Sequence, residues 1–265
     1  MQKENSWKIE NLNKIKLNRP VLIVGLPGIG NVAKISADFL IEQLSAKKLC
    51  GFFSHNMPNS VFVNEKEIVK IPSISMYYKK FGRRGKNDIL ILSGDIQPAE
   101  EVSTYEFCET VLSLFKQQNG AEIITLAGIG YSIIPEKPKI YCTGNSEKII
   151  KKYKEGTPIQ KKIFGVVGPI IGVSGVLVGL AEKKNIPGAV ILAETHNHPF
   201  YLGIKGSMTI LEVLNKKLDL KIDMKKLDAE ISHIEAEIKK AEKMAPLSQK
   251  IKAQKGISEG TEYIG

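Results

Sequence analysis

Short apolar runs alternate with helical stretches along most of the 265-residue chain. Runs rich in Val, Ile and Leu between turn residues predict buried strands. Such runs fall at 20–25, 49–54, 88–93, 121–127, 139–143, 163–167 and 189–194. Helical spacing falls at 31–44, 98–118, 173–184 and 206–218, and the pattern over 60–80 suggests a hairpin and an added strand. This alternation predicts an α/β fold with a mostly parallel sheet and helices on both of its faces.

The C-terminal part has a different pattern, a narrow seam of apolar residues that recur at intervals of three and four. Its members are Met224, Leu227, Ile231, Ile234, Ile238, Ala241 and Ala245. A helix packed on its own domain usually shows a wider apolar stripe. The seam therefore leaves two interpretations open, packing within the chain or an oligomer interface centred on the residues from Met224 to Ile238.

These patterns divide the chain into four regions. Residues 1–17 form a polar N-terminal arm, 18–222 the α/β domain, 223–245 the heptad-patterned helix and 246–265 a tail. The tail is rich in Gly, Lys and Ser, a composition typical of flexible segments. It closes on Tyr263, Ile264 and Gly265, and we interpret this apolar tip as a candidate partner-binding motif.

Composition and charge exclude some classes of protein. Apolar residues make up 43% of the chain and charged residues 25%, which are ordinary values for a globular protein. The net charge of +10 comes from basic stretches at 1–20, 79–86 and 136–162. Aromatic residues are only 7% and do not interleave with the basic ones, as a single-strand binder requires. We interpret the charge as a solvated surface and expect no nucleic-acid partner.

The cysteines and the longest apolar segment bear on the compartment. Cys50, Cys108 and Cys142 are far apart and form no C-x-x-C pair, which indicates buried thiols in a reducing compartment. Residues 163–181 are uncharged over transmembrane length, but Gly168-Pro169 divides them into a predicted strand and a predicted helix. We therefore expect a cytoplasmic protein without a membrane partner.

A glycine-rich loop follows the first strand and opens the first helix. Its form, Gly28-x-Gly30-x-x-Ala33 after Gly25, fits the dinucleotide fingerprint, in which glycines admit a pyrophosphate to a helix N-terminus. The second strand, however, ends in Ser54-His55, where an acidic residue should bind the ribose. The loop also lacks the Lys and Ser/Thr of a P-loop. A turn that binds nothing is the favoured interpretation.

Two further glycine turns are predicted after strands. Gly128 and Gly130 follow one, and Gly172 and Gly175 follow another. In a parallel sheet all three loops would lie at the carboxyl edge, where open α/β folds bind ligands. Ser174 is one residue short of a nucleophile elbow, and we interpret it as a helix cap. No catalytic group is delivered to this edge, so we predict no catalytic residue, no cofactor and no enzymatic activity.

The segment from Glu194 to Pro199 carries the best candidate for a metal site. An extended chain would point His196 and His198 the same way, but no third ligand has a defined spacing. We favour a structural or interface role and predict no metal. Asp95, at the end of another strand, is interpreted as a cap or a turn residue.

Taken together, these segments resemble the proteasome-assembly-chaperone family in its archaeal branch. The resemblance rests on GLPGIGNVA from Gly25, on Gly94-Asp95-Ile-Gln97, and on GVSGVLVGLAEKKNIPGAVILAET with His198-Pro199. It implies an αβα sandwich similar to nucleoside phosphorylases and a non-enzymatic protein that forms homo-oligomers. It also implies binding to proteasome α subunits.

The tail departs from the docking motif that the resemblance implies. Some members of the family dock by a hydrophobic–Tyr–any C-terminus, in which tyrosine is penultimate. Here Tyr263 is third from the end and follows Glu262. The expectation is a chaperone or adaptor for the proteasome core, and the alternative is a nucleotide-binding or hydrolytic enzyme that uses the glycine loops.

Overall fold

An eight-stranded sheet organises the part of the chain that the structure describes. The structure is a computed structural model, and it describes residues 5–82, 85–163, 165, 168–199 and 201–224. The strands of the large sheet are β1 (Lys8–Glu10), β2 (Val21–Gly25), β3 (Lys47–Phe53), β6 (Ile74–Lys79), β7 (Ile89–Gly94), β8 (Glu122–Tyr131), β9 (Ile140–Gly144) and β10 (Gly188–His196). A separate hairpin contains β4 (Phe62–Val63) and β5 (Val69–Lys70).

The strand order is β1-β3-β6-β7-β2-β8-β10-β9. The four central strands, β7, β2, β8 and β10, pair in parallel, and the strands outside them pair antiparallel. Because β3 and β7 are both antiparallel to β6, five of these eight strands run in one direction. The central strands are continuous apolar runs since both faces of the sheet are covered.

Five helices cover the sheet in the described residues. They are α1 (Val32–Gln43), α2 (Glu101–Gln117), α3 (Glu147–Lys154), α4 (Val173–Lys183) and α5 (Ile204–Leu218). Helices α1 and α5 pack together on one face, whereas α2 and α4 pack together on the other. Leu22 and Val24 of β2 share a buried cluster with Phe107 of α2 and Leu177 of α4. The predicted three-layer αβα sandwich with a mostly parallel sheet is confirmed.

The chain divides into two units, Met1–Ile222 and Asp223–Gly265. All the strands and helices given above belong to the first. Of the heptad seam only Met224 is described, as a partly buried residue. Leu227, Ile231, Ile234 and Ile238 lie outside the described residues, as do Tyr263, Ile264 and Gly265.

The described part of the N-terminal arm is joined to the sheet. Strand β1 pairs antiparallel with β3 and covers an edge of the sheet. Trp7 is buried, and its indole nitrogen donates to the carbonyl and the hydroxyl oxygens of Ser103, both at 3.0 Å. Its ring lies 4.6 Å from that of Phe107, centroid to centroid. The pairing of β1 and the burial of Trp7 together fix the described part of this polar segment to the sheet and the core.

Three local predictions differ from the structure. The glycine turn predicted at Gly128–Tyr131 is wrong, because β8 continues through it and pairs with β10 as far as Tyr131. Ile163 and Gly165 lie outside any strand, although the sequence predicts one over 163–167. Helix α3 was not predicted, because it is rich in lysine and only Ile149 and Tyr153 form its buried side. No helix in the described ranges is both long and apolar enough to cross a membrane.

Candidate functional site

The loops at the carboxyl edge of the parallel strands enclose a cavity of about 970 Å³. Its walls come from the β2–α1 loop, the start of α2, the end of β8 and the segment 168–172. Four of the seven glycines singled out from the sequence line it: Gly28, Gly128, Gly130 and Gly172. These glycines meet at the carboxyl edge of the sheet, although Gly128 and Gly130 belong to β8 itself rather than to a loop after it.

Of the three glycines that do not line this cavity, Gly25 and Gly175 are needed for helix packing. A Cβ on Gly25 would lie 2.2 Å from the carbonyl oxygen of Ala33 in α1. A Cβ on Gly175 would lie 2.3 Å from the carbonyl oxygen of Ile170. Both positions require glycine because backbone approaches backbone.

The space beside the two central glycines is filled by the protein itself. Gly30 has a left-handed φ of 61°, and a Cβ there would lie 2.4 Å from Oγ1 of Thr195. A Cβ on Gly128 would lie 2.3 Å from the carbonyl oxygen of Ile29. Only Gly28 among these positions has open space around it, with nothing within 4 Å. The glycines therefore allow close packing of the loop on β8 and β10, and they leave little room for a pyrophosphate.

Gln97 joins two walls of the cavity. Its Nε2 donates to the carbonyl oxygen of Pro27 at 2.8 Å, and its Oε1 accepts from the backbone N–H of Val173 at 3.4 Å. A Cβ on Gly172, whose φ is 82°, would lie 2.6 Å from this Oε1. The β2–α1 loop and the start of α4 are thus held together through one amide side chain.

The two aliphatic hydroxyl groups of the cavity wall, those of Ser174 and Thr104, already have partners. Ser174 donates to the carbonyl oxygen of Leu126 at 2.9 Å, and Thr104 donates to that of Glu100 at 2.9 Å. Ser174 was expected to cap α4, but the capping position is Gly172 and no side chain caps the helix. Since its hydroxyl is engaged with a backbone carbonyl and no histidine lines this cavity, the described wall offers no activated nucleophile.

The electrostatics of the cavity do not favour an anion. Glu101 is the one charged residue among its described lining residues, and no lysine or arginine is among them. The rim is apolar and exposed: Ile171 is 87% exposed, Tyr105 54% and Ile29 44%. The described cavity can hold an uncharged, largely apolar group by contact, and it lacks the cation that phosphate binding usually uses.

The sheet topology also departs from a dinucleotide-binding fold. In that fold the second strand lies parallel beside the first and delivers an acid to the ribose. Here β2 lies between β7 and β8, whereas β3, which ends near Ser54, is separated from β2 by β6 and β7. The residues after β3 therefore cannot complete the fingerprint.

His196 and His198 lie side by side at the end of β10. Their rings stack in parallel with centroids 5.7 Å apart, and the ring of Tyr201 meets that of His196 edge-on at 5.5 Å. Nδ1 of His196 lies 3.1 Å from the carbonyl oxygen of Tyr131. In the described part of the chain no group of three His, Cys, Asp or Glu residues could hold a metal ion.

Glu194 anchors the base of this segment. It is buried and accepts from the backbone N–H of Lys139 and the hydroxyl of Tyr141, both at 3.0 Å. Burial raises the pKa of the Tyr141 hydroxyl, and the hydrogen bond to Glu194 raises this pKa further. Tyr141 therefore stays a protonated donor at neutral pH, which is a structural role. The carboxylate of Asp95 accepts from the backbone N–H and hydroxyl of Ser73, both at 2.9 Å. Because Ser73 is 22 residues away, this contact joins two segments and is neither a helix cap nor a local turn.

All three cysteines are free and buried. Burial raises the pKa of Cys50 to about 11 and that of Cys108 and Cys142 to about 12. These thiols are protonated at neutral pH and inaccessible, which agrees with the expected buried thiols and excludes them as nucleophiles.

Two features were not found from the sequence. Thr195 is buried beside Gly30, and its hydroxyl has no hydrogen-bond partner among the described residues. The hairpin that contains β4 and β5 exposes apolar side chains to solvent. Nothing in the sequence indicates the position of Thr195 beside Gly30. The apolar residues of the hairpin are evident in the sequence, but their exposure to solvent is not.

Comparison with known families decides the identity of the chain. The model described as "PAC2 family" matches residues 22–242. This chain belongs to the PAC2 family. Its similarity extends to an uncharacterised protein of Methanocaldococcus jannaschii, MJ1210, which is 26% identical over 251 residues and covers 94% of this chain and 93% of its own.

Solved structures agree with this family assignment. The PAC2 chain is 27% identical to PbaB of Pyrococcus furiosus, described as an archaeal proteasome activator, with a TM-score of 0.80 over 90% of this chain and 99% of PbaB. It is 26% identical to PbaA of the same organism, described as an archaeal homolog of proteasome-assembly chaperone. There the TM-score is 0.72 over 94% of this chain and 97% of PbaA.

Proposed function

We propose that this PAC2 protein is a cytoplasmic, non-enzymatic chaperone or adaptor that binds the proteasome core particle through its α subunits. The observation that carries the proposal is the likeness to PbaB, which extends over nearly the whole of that chain at a TM-score of 0.80. The identity of 27% is measured over 90% of this chain. PbaA, described as a homolog of proteasome-assembly chaperone, supports the same role.

The geometry of the carboxyl edge supports a role without catalysis. The hydroxyls of Ser174 and Thr104 are bonded to backbone carbonyls, and Gln97 is used as a bridge between loops. The three thiols are buried and protonated at neutral pH. A surface that presents apolar side chains and few free polar groups is suited to protein contact.

Two further segments, which lie outside the described residues except for Met224, complete the proposal. The tip Tyr263-Ile264-Gly265 contacts the α subunits, and the seam of Met224, Leu227, Ile231, Ile234 and Ile238 joins copies of the chain into a homo-oligomer. The tyrosine ring and an apolar neighbour are the groups that most often anchor an interface. Both assignments come from the sequence pattern.

Binding to purified proteasome core particle tests the partner. Full-length protein is compared with a Tyr263→Ala variant and with Glu262→Gln, a matched control that changes the adjacent residue and keeps the ring. We expect the full chain and the control to bind, and the Tyr263→Ala variant to bind at least about tenfold more weakly, as for loss of an aromatic anchor. The dissociation constants can be measured by biolayer interferometry.

The outcomes separate the partner from the contact. If none of the three proteins binds the core particle or isolated α subunits, the partner assignment is wrong. If all three bind equally, the proteasome remains the partner and the tip is not the contact.

A second candidate function is supported by the convergence of four of the predicted glycines on one cavity of about 970 Å³. In this alternative the chain is a nucleotide-binding or hydrolytic enzyme. A ligand that binds only the folded state raises the melting temperature, by an amount that grows with its concentration over Kd. We expect ATP, NAD, NADP and nucleosides to leave the melting temperature unchanged, and a reproducible rise with any of them would favour the enzyme.

A further inference from the structure

The hairpin of residues 61–71 is the most apolar exposed element in the described chain. It is a two-stranded sheet of its own, in which Phe62 pairs with Lys70 and Val63 with Val69. The turn is well defined, because Oδ1 of Asn64 accepts from the backbone N–H groups of Lys66 and Ile68, both at 3.0 Å. A defined turn fixes the register of the two strands and hence which side chains share a face.

One face of this hairpin is entirely aliphatic. Val63 and Val69 are opposite each other and are 66% and 63% exposed. By the two-residue alternation of extended chain, Val61 and Ile71 fall on the same side, and they are 55% and 64% exposed. We call these four residues the aliphatic face. Phe62 and Ile68, outside this set, are also at least half exposed.

Such a face is unfavourable in water. A lone two-stranded hairpin is marginally stable, and it needs packing against another element to persist. Four aliphatic residues at this exposure present roughly 400 Å² of apolar surface, within the range of the largest patch on a typical monomer, which often marks an interaction site.

The area fits a symmetric interface with a second copy. A standard interface buries about 800 Å² on each partner, and about 65% of this area is apolar in homodimers, or about 520 Å². If all of its exposed surface were covered, the aliphatic face would supply at most about three quarters of that apolar area. In a two-fold interface the same patch of each copy meets the other, so a flat aliphatic face can pack against its own copy without matching charges or hydrogen bonds.

Charge favours self-contact at this element. The hairpin carries Glu65, Lys66, Glu67 and Lys70, which sum to zero, whereas the whole chain has a net charge of +10. Two copies of a basic chain repel each other across most surfaces, and this repulsion is smallest where the contact itself is neutral. A strongly acidic partner would gain more from the basic stretches elsewhere in the chain.

We propose that the aliphatic face, Val61, Val63, Val69 and Ile71, is a self-association surface that packs against the same face of a second copy of this chain. This proposal rests on the self-association that is part of the proposed function and names a surface for it. It does not depend on the contact with the proteasome. It is distinct from the predicted seam at the C-terminal helix.

Sedimentation equilibrium of the full-length protein tests this surface. The double variant Val63→Glu/Val69→Glu places charges at the centre of the contact and should weaken self-association at least about tenfold. Val63→Thr/Val69→Thr removes apolar surface but keeps a strand-forming, β-branched side chain, so it should show a smaller loss in the same direction. Val102→Glu is the control, since Val102 is 58% exposed on α2, outside the hairpin.

Each outcome decides the matter. Weaker association in both hairpin variants with an unchanged control supports the proposal. A multimer that neither hairpin variant alters overturns it but keeps self-association through another surface such as the seam. A parent chain that is monomeric at every concentration overturns both. If the parent is monomeric and the hairpin variants lose proteasome binding, the face contacts that partner instead.

Engineered cysteines give a positive test. Each residue of the aliphatic face is replaced by Cys in turn, with Val102→Cys as the control. The native cysteines do not compete because all three are buried. Residues close to a two-fold axis bring their Cα atoms within about 7 Å, the limit for a disulfide. At least one hairpin variant should form more cross-linked dimer on oxidation than the control, and none doing so would overturn the proposal.

Discussion

The carboxyl edge of the parallel strands and the hairpin of residues 61–71 use side-chain size in opposite ways. At the edge, Gly30 and Gly128 have no side chain, and the room that a Cβ would need is taken by Thr195 and Ile29. In the hairpin, large aliphatic residues such as Val63 and Val69 project into solvent. The space beside these glycines is filled by neighbouring atoms, whereas the aliphatic side chains of the hairpin are exposed to solvent.

The contrast shows that the most recognisable motif need not be the binding surface. Glycines after a strand are typical of phosphate loops, yet here their freedom is used to bring loop and strand together. The apolar stretches VFV and IVKI belong to a segment that the sequence predicts as a hairpin and an added strand, and their apolar side chains are exposed. What decides the role of a small or large residue is the neighbour that occupies the adjacent space.

The largest expected effect is on the packed side of the comparison. Gly128→Ala would place a Cβ 2.3 Å from the carbonyl oxygen of Ile29, a backbone atom that cannot move alone. We expect a loss of about 2–3 kcal/mol in the free energy of unfolding, as for overpacking. Gly28→Ala is the matched control, since it has nothing within 4 Å and an extended φ of −170°. It should change stability by less than about 0.5 kcal/mol.

Urea unfolding followed by circular dichroism measures both variants. Equal losses of unfolding free energy in the two variants would contradict the prediction, because they would show that Gly28 and Gly128 are equally close packed.

The next effect is a dependence of the free energy of unfolding on pH, which the buried thiols should cause and the hairpin should not. Burial raises the pKa of Cys50 from 9.0 to about 11 and that of Cys108 and Cys142 to about 12. The unfolded chain therefore loses these protons first. Their stabilising contribution is fully present below pH 9 and falls as the pH rises toward the folded values, by about 1 kcal/mol for each thiol at pH 10. Residues 61–71 contain no Cys or Tyr and should not contribute.

Unfolding free energies measured from pH 8 to pH 10 check this slope. A variant with all three cysteines replaced by Ala is the control, and its stability should fall less steeply over the same interval. An identical slope in both proteins would contradict the prediction.

A smaller effect, of opposite sign, is expected at Thr195. Its buried hydroxyl is unpaired within the described residues, so Thr195→Val removes a desolvated polar group with little change in shape and should raise stability by about 1 kcal/mol. Thr125→Val is the matched control, because the buried Thr125 hydroxyl donates to the carbonyl oxygen of Ser174 at 2.8 Å. It should lower stability by a similar amount. Thermal unfolding of both variants tests the pair, and two shifts of the same sign would contradict it.

The smallest effect on stability belongs to the hairpin. Val63→Thr/Val69→Thr changes only exposed side chains, so the free energy of unfolding should change by less than about 0.5 kcal/mol at protein concentrations too low for self-association. Hydrogen exchange of the β2 and β8 amides should stay as in the parent chain. A large loss of stability would mean that the hairpin packs into the domain and that the comparison between the two regions fails.

Much of the fold was predictable because continuous apolar runs mark strands that are covered on both faces. The runs at 20–25 and 88–93 correspond to β2 and β7 for this reason. Helix α3 was missed because only Ile149 and Tyr153 are buried in a segment that otherwise reads as a lysine-rich connector. The end of β8 was misread as a turn because glycine is poor in strands, except where another backbone approaches closely, as Ile29 does here.

The site was predictable in outline only. Parallel topology brings the glycine loops to one edge, which the sequence pattern predicts. It does not reveal that Thr195 fills the space beside Gly30, because these residues are far apart in the chain and meet only through the register of β10. The position of Trp7 against Phe107 was missed for the same reason.

The position of β10 has a consequence for the biosynthesis of the domain. β10 follows β8 and β9 in the chain but lies between them in the sheet, so β8 and β9 each lack their β10 partner until residues 188–196 exist. A ribosome adds roughly 5–20 residues per second, so the nascent chain spends several seconds between completing β9 and completing β10. During that interval β8 presents an unpaired apolar edge, the kind that aggregates. The sheet is therefore completed only late in translation. A chain that stalls before residue 188 would keep the edge of β8 unpaired, however long it had to fold.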